Sequence, residues 1–260
     1  MPVRSEYKPG TPCWVSLSSP EIPVSAKFYE QLFGWRFVVA GDPAQTGGFG
    51  FLMQQDHDVA GIGPVMDSAP SAWTTFISVT DAAQTAEAVK AAGGRVLFEP
   101  MQVLDVGHMA VFADPAGAVF AVWQPLTYQG AGIVSESVSF TWNELTTRDI
   151  DGSKAFYAAV FGWRAEHMPM PSGMNYFRWM CDGEQVAGMI EMDDKWPPAV
   201  PAHWMVYFAV ADADATAAKA AELGGSVAVE PFDISVGREA VLTDPFGATF
   251  SVIKMAETHG

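Results

Sequence analysis

The chain has 260 residues and contains one pattern twice, and this internal repeat constrains its fold more than any other feature. Residues 26–36 read AKFYEQLFGWR, and residues 154–164 read KAFYAAVFGWR. The motif DPAG at 114–117 returns as DPFG at 244–247, again about 130 positions later. Because self-similarity at a fixed spacing is typical of a duplicated folding unit, we predict two similar domains, 1–128 and 129–260.

The composition favours a globular protein and excludes several partners. Hydrophobic residues make up 49% of the chain and charged residues 17%, and the formal net charge is −16. Such an acidic protein repels nucleic acid and anionic membrane surfaces. The two cysteines, Cys13 and Cys181, are too far apart for a CxxC motif, and no apolar run approaches 18 residues. We therefore expect a cytoplasmic protein that binds neither nucleic acid nor membranes, as a monomer or weak homodimer.

Each half of the chain shows the same order of elements, a strand, a helix and three strands, followed by a second such set. Aromatic residues at helical spacing predict helices at 22–33 and 150–161, which end at Gly34 and Gly162. Two further helices, 81–92 and 212–223, begin at aspartates that are suited to cap a helix. The pattern predicts an α+β fold of four βαβββ units, in which each sheet has a free face that can hold a small molecule.

This order of elements, with FYxxLFGW early in the first half, its copy FYxxVFGW in the second and DPxG before the last strand of each, resembles the vicinal oxygen chelate superfamily. That superfamily contains glyoxalase I, extradiol dioxygenases and bleomycin-resistance proteins. The resemblance covers roughly residues 10–125 and 137–254, and it is closest to tandem glyoxalase-like proteins that are described as hydroxylases. It implies two tandem domains, each a pair of βαβββ units that form one cupped, mixed or antiparallel sheet. One fold hosts many reactions, so the motifs predict the fold rather than the chemistry.

The resemblance also implies where a metal would bind. Metal-dependent members place His, Glu or Gln donors in the first, fifth and last strands of a domain. The matching positions here are Trp14, Thr74, Ala121, Trp142, Met205 and Ser251. None of them is a His or a carboxylate, which divalent metals need, so we predict no metal site and no cofactor. The alternative is a metal-dependent glyoxalase or dioxygenase with displaced ligands, namely His203, Glu191 and His108.

Strand alternation places Trp14 and Ser16 on one face of the first sheet, and Trp142 and Glu144 on the same face of the second. The resemblance implies that this face is the concave one. The predicted ligand-binding residues are Trp14, Phe76 and Trp123 in the first half, and Trp142, Arg178, Met205 and Tyr207 in the second. The alternative is that these side chains fill the cups as core.

Three residues are candidates for catalysis. Glu144 has Ser16 as its copy, so the fold does not require a carboxylate there. In an apolar cup its pKa would rise and it could act as a general acid or base. The alternative is a structural glutamate bonded to Arg178, Tyr176 or a backbone N–H.

The loop before each DPxG supplies the other two candidates, since VGHM at 106–109 matches VGRE at 236–239. Arg238 could bind a carboxylate, phosphate or enolate oxygen, and His108 could transfer a proton near neutral pH. The alternative is that both are solvated residues paired with Asp105 or Glu239.

These features predict a metal-independent protein whose partner is a small organic molecule with aromatic or carbonyl character. Two classes remain open. The first is a binding or sequestration protein. The second is an enzyme in which Glu144, with His108 or Arg238, transfers a proton in a lyase, isomerase or hydroxylase-type reaction.

Overall fold

Each half of the chain builds one eight-stranded sheet. The structure, a computed structural model, describes residues 3–66, 69–170 and 173–256. The first half contains β1 (Pro12–Ser19), α1 (Ile22–Phe33), β2 (Arg36–Val39), α2 (Pro43–Thr46), β3 (Gly50–Gln54), β4 (His57–Pro64), β5 (Ala72–Ser78), α3 (Ala82–Ala91), β6 (Arg95–Val103), β7 (Gly107–Ala113) and β8 (Val119–Pro125). The second half contains β9 (Phe140–Thr147), α4 (Ile150–Phe161), β10 (Arg164–Pro169), β11 (Asn175–Cys181), β12 (Glu184–Glu191), β13 (His203–Ala209), α5 (Ala213–Glu222), β14 (Ser226–Ile234), β15 (Gly237–Thr243) and β16 (Thr249–Met255).

The two sheets have the same topology. The strand order is β2-β3-β4-β1-β5-β8-β7-β6 in the first sheet and β10-β11-β12-β9-β13-β16-β15-β14 in the second. In each sheet two four-stranded units meet at a central antiparallel pair, β1 with β5 and β9 with β13. Within a unit the first and last strands are parallel, as β1 and β4 are. The predicted α+β fold of four βαβββ units is thereby confirmed.

Local chemistry sets the ends of the helices. Gly34 and Gly162 follow α1 and α4 in the left-handed conformation, with φ of 76° and 69°. The Asp81 and Asp212 carboxylates accept backbone N–H bonds at the starts of α3 and α5, as N-caps do. The short helix α2 was not predicted; the Asp42 side chain caps it through the Ala44 N–H.

The two longest helices lie against the opposite half of the chain. The Tyr29 hydroxyl on α1 donates to Asp244 Oδ2 at 3.4 Å, in the second DPxG turn. The Tyr157 hydroxyl on α4 donates to Asp114 Oδ2 at 3.1 Å, in the first. Both aspartates also accept bonds within their own turns, as turn-forming residues do. The repeated motifs therefore connect the two halves. The opposite face of each sheet does not take part in this contact and forms the cup of that half.

Cys13 and Cys181 are buried free thiols. Among the described residues, no helix is long and apolar enough to cross a membrane.

Candidate functional site

The cup of the first sheet is filled by its own aromatic side chains. The Trp14 ring lies edge-on to the rings of Phe51 and Tyr128, with centroids 6.1 and 5.5 Å apart. The Trp123 indole donates to the Tyr128 carbonyl at 2.8 Å. Trp14, Phe76 and Trp123 are 5%, 7% and 8% exposed. Tyr128 belongs to the segment after β8, so the link between the halves helps to fill this cup. These contacts are those of a packed core.

The cup of the second sheet contains a cavity of about 800 Å³. Five residues that were singled out from the sequence lie together on its wall: Trp142, Glu144, Arg178, Met205 and Tyr207. The wall also includes His203, Glu239, Ser251 and the methionines Met168, Met170, Met174 and Met255. A cavity of this size, mainly apolar with a few polar groups, is typical of a small-molecule site.

Strand register explains how the polar residues meet. Directly paired residues on neighbouring strands point to the same face of a sheet. One such row crosses five strands of the second sheet and contains Met205, Glu144, Gly188, Arg178 and Glu166. The matching row of the first sheet contains Thr74, Ser16, Gly61, Phe51 and Val38. This row carries charged side chains in the second sheet and none in the first, so the two sheets have different chemistry at these positions.

Glu144 lies in the middle of the cavity wall, 7% exposed. The Tyr207 hydroxyl donates to its Oε1 at 2.8 Å. Burial raises the pKa of Glu144 from 4.5 to about 7, and the nearby Glu239 carboxylate adds to the rise. Hydrogen bonds from Tyr207 and Tyr176 offset part of that rise. The carboxyl is therefore bonded to tyrosines rather than to Arg178, and it titrates near neutral pH.

Glu239 is a second buried carboxyl on the cavity wall, and the sequence interpretation missed it as a site residue. The Ser251 hydroxyl donates to its Oε1 at 3.1 Å, and burial raises its pKa. Its copy in the first half is Met109, so the fold does not require a carboxyl here either. A comparison of the two copies at this position, like that of Glu144 with Ser16, would have found it.

Arg238 and His108 lie elsewhere. The sequence predicts that both residues lie in loops. In the structure they belong to strands β7 and β15, which begin at Gly107 and Gly237. The loop prediction is therefore wrong, and strand alternation turns Glu239 toward the cavity and Arg238 away from it. The Arg238 guanidinium pairs with Asp214 and Asp233 on an exposed surface. His108 belongs to the first sheet, so the structure does not bring either residue to Glu144.

The residues present do not fit a divalent metal. At the three family positions, the Trp142 indole N–H donates to the Tyr176 hydroxyl at 3.3 Å, the Ser251 hydroxyl donates to Glu239, and Met205 offers only a soft thioether. The displaced set is not assembled either. His203 Nδ1 lies 2.9 Å from the Pro201 carbonyl, Glu191 accepts from Asn175, and His108 lies in the other sheet. Within the described segments, no three His, Cys, Asp or Glu side chains form a group that could hold a metal.

Comparison with known proteins identifies the family. The model of the Glyoxalase/Bleomycin resistance protein/Dioxygenase superfamily matches residues 13–122 and 139–252. The chain belongs to this superfamily. The resemblance drawn from FYxxLFGW and DPxG is thus confirmed, and the two matched ranges correspond to the two sheets of this superfamily member.

This superfamily member is similar to two bacterial proteins over nearly their whole length. "Putative glyoxylase CFP32" of Mycobacterium tuberculosis is 42% identical over 98% of this chain and 99% of its own. The anthracycline biosynthesis protein DnrV of Streptomyces peucetius is 40% identical over 98% of this chain and 97% of its own. Among solved structures, the 2,3-dioxygenase LapB of Pseudomonas sp. KL28 superposes with a TM-score of 0.63 over 95% of this chain and 93% of its own. LapB is only 15% identical, so this last likeness shows the fold alone.

Proposed function

We propose that the second cup binds a planar, mainly apolar organic molecule that carries a carbonyl group, and that Glu144 transfers a proton at the carbon beside that carbonyl. One observation carries the proposal. Glu144 is a buried carboxyl on the wall of a cavity, and its pKa is raised to about 7. A general acid or base works best when its pKa lies near the operating pH.

The chemistry of the wall supports this class of ligand. Trp142 and Tyr207 offer aromatic surfaces that can pack on a planar ring. Five methionines contribute a flexible apolar lining that can adapt to different shapes: Met168, Met170, Met174, Met205 and Met255. The names of the two relatives, a glyoxylase and a protein of anthracycline biosynthesis, also favour small organic molecules as ligands.

The proposed step moves one proton and one electron pair. Ionised Glu144 takes the proton from the C–H bond, and the electrons of that bond move toward the carbonyl oxygen to give an enolate. The Glu144 carboxyl exchanges this proton with water and then delivers a solvent proton to the same carbon or to a neighbouring one. Tyr207 holds Oε1 of Glu144 through its hydroxyl, so the carboxyl is oriented before a ligand arrives.

Hydrogen exchange tests the proposed step. In D₂O at pH 7, we expect the protein to accelerate the loss of the C1 proton signals of 2-tetralone in ¹H NMR spectra. Glu144→Gln should lower this acceleration by about 100-fold, because a general base contributes roughly that much, while the affinity for 2-tetralone stays unchanged. Ser16→Ala, at the matching position of the first cup, should exchange like the wild type. Exchange by wild-type protein at the solution rate, or equal rates in wild type and Glu144→Gln, would exclude proton transfer by Glu144.

A second function, ligand sequestration, is favoured by the methionine lining, since such surfaces bind without requiring one ligand shape. Under this function 2-tetralone binds but is not exchanged. The rate of exchange, measured together with the affinity for 2-tetralone, therefore separates a binding protein from an enzyme.

A further inference from the structure

Arg178 stands out among the cavity residues. Of the described residues that line the cavity, it is the one Lys or Arg side chain. Its Nε is buried and has no hydrogen-bond partner among the described residues. A buried donor without an acceptor is costly and uncommon, so the protein does not satisfy this guanidinium. The Arg178 side chain lines the cavity and is 38% exposed, so a ligand there can reach its terminal N–H groups.

Its ion pair leaves most of the guanidinium free. Arg178 Nη2 lies 3.5 Å from Glu166 Oε2, and both side chains are partly exposed, by 38% and 36%. The other carboxylate oxygen of Glu166, Oε1, pairs with Arg164 Nη2 at 2.7 Å. A guanidinium has five N–H donors in a fork that fits two oxygens of one anion. Glu166 therefore holds Arg178 in place without satisfying it.

The internal copy shows that the fold does not require an arginine at this position. Phe51 occupies the matching register in the first sheet, where it packs against Trp14 and Tyr128. In the second sheet Gly188 stands between Arg178 and Glu144 in the same row. Since neighbouring strands are about 4.8 Å apart, the backbones of the arginine and the glutamate are separated by about 10 Å. One small ligand can span that distance.

We infer that Arg178 binds an anionic oxygen, a carboxylate or phenolate, on the apolar ligand of this cavity, and so determines its specificity. This inference rests on the proposed function of the cavity and adds the ligand class. In this arrangement the anionic oxygen of the ligand contacts Arg178, and the carbon that exchanges its proton lies beside Glu144.

Calorimetric titration with a matched pair of probes tests the inference. We expect the wild-type protein to bind 2-naphthoate at least about tenfold more tightly than its neutral isostere 2-naphthamide, since hydrogen bonds between charged groups are stronger than those between neutral groups. Arg178→Met should remove this preference and leave the affinity for the amide within about twofold. Arg178→Lys should restore it only in part, because an ammonium lacks the fork. Glu166→Gln should strengthen naphthoate binding, because the guanidinium loses its competitor.

Arg36→Met makes the same change of net charge in the first sheet, and we expect it to leave both affinities unchanged. The inference is overturned if wild-type protein binds acid and amide equally or binds neither. It is also overturned if Arg178→Met weakens the binding of the acid and the amide equally, because the charge of Arg178 would then not contribute to recognition. The exchange of 2-tetralone, a neutral molecule, is scored separately. If the wild-type protein exchanges 2-tetralone but shows no anion preference, only the role of Arg178 is contradicted. If the wild-type protein shows the preference but does not accelerate exchange, only the role of Glu144 is contradicted.

Discussion

Glu144 weakens the folded state at high pH, whereas its copy Ser16 does not titrate. The carboxyl is buried, so its ionised form is disfavoured and its pKa rises from 4.5 to about 7. The folded protein therefore binds more protons than the unfolded chain between these two pH values. By linkage, this group makes stability fall as pH rises through that window. A residue kept at such a cost is expected to serve binding or catalysis.

The first prediction concerns stability. Replacing Glu144 with Gln removes the titration, so the variant should gain stability relative to wild type as pH rises from 5 to 8. The full difference is about 3 kcal/mol, from a shift of this size at about 1.4 kcal/mol for each pKa unit. Urea unfolding at both pH values measures it. Glu230→Gln, on an exposed position of β14, is the control that should follow wild type. Parallel pH profiles for wild type and Glu144→Gln would contradict the assigned titration.

The second prediction concerns the pH dependence of exchange. Only ionised Glu144 can accept the proton, so the rate of 2-tetralone exchange should rise with pH and level off above about pH 7, near the pKa of this group. The measurement is the NMR exchange rate between pH 5 and 8.5, corrected for the solution rate. A rate proportional to hydroxide throughout, with no plateau, would assign the exchange to the solvent.

At the scale of elements, the cavity depends on a strand position that has no side chain. Gly188 on β12 faces the cup between Glu144 and Arg178. A methyl group here would collide with the Tyr176 hydroxyl and would lie 2.8 Å from the Trp142 indole nitrogen and 3.0 Å from Glu144 Oε2. The polar atoms of the site converge above this glycine, so its size is part of the site.

The third prediction compares Gly188→Ala with its copy Gly61→Ala. A methyl group at Gly61 would lie 2.9 Å from Ser16 Oγ and from the Phe49 ring. Both variants should lose about 1–3 kcal/mol of stability through overpacking. Only Gly188→Ala should also weaken 2-naphthoate binding and slow exchange, since only the second cup is proposed to bind ligand. Equal effects of the two variants on binding would contradict the division of roles between the cups.

Sequence patterns predict the elements here more completely than they predict the site. The ends of α1 and α4 at Gly34 and Gly162 follow from local backbone chemistry, and the structure places them where the pattern does. The position of Glu239 could not be predicted in the same way. The direction of its side chain depends on the start of β15 at Gly237, which local propensity does not determine. Because β15 pairs with β16 without a bulge, strand alternation places Glu239 once the start of the strand is known.

At the scale of the whole molecule, each half is completed by a helix of the other. Tyr29 and Tyr157 each accept a bond from a tryptophan, Trp73 or Trp204, and donate to the DPxG aspartate of the opposite half. Between the sheets, Thr75 donates to Asn143 at 2.7 Å in a buried contact. The repeat is visible in the sequence, but these partners are more than 40 positions apart and depend on the packing of the sheets. The sequence therefore shows the motifs without showing which half each one contacts.

The fourth prediction is that the halves unfold together. Tyr157→Phe leaves the Trp204 indole without its acceptor and removes the tyrosine donor to Asp114 Oδ2, so it should cost about 1–3 kcal/mol. Tyr29→Phe is the matched variant at the other contact and should cost a similar amount. In urea, wild type and both variants should show one transition by fluorescence and circular dichroism. Two separate transitions, or no loss of stability in either variant, would contradict the interlocked arrangement.

Methionine methyl NMR distinguishes a ligand site in the second cup from a ligand site in the first, which the structure shows as a filled core. Met168, Met170, Met205 and Met255 line the cavity, whereas Met109 packs in the first cup at the position that matches Glu239. With ¹³C-methyl-labelled methionine and a titration of 2-naphthoate, we expect saturable shifts of the cavity methyl signals and no shift of Met109. A saturable shift of Met109 with unchanged cavity signals would show that the ligand enters the first cup and would contradict a ligand site in the second.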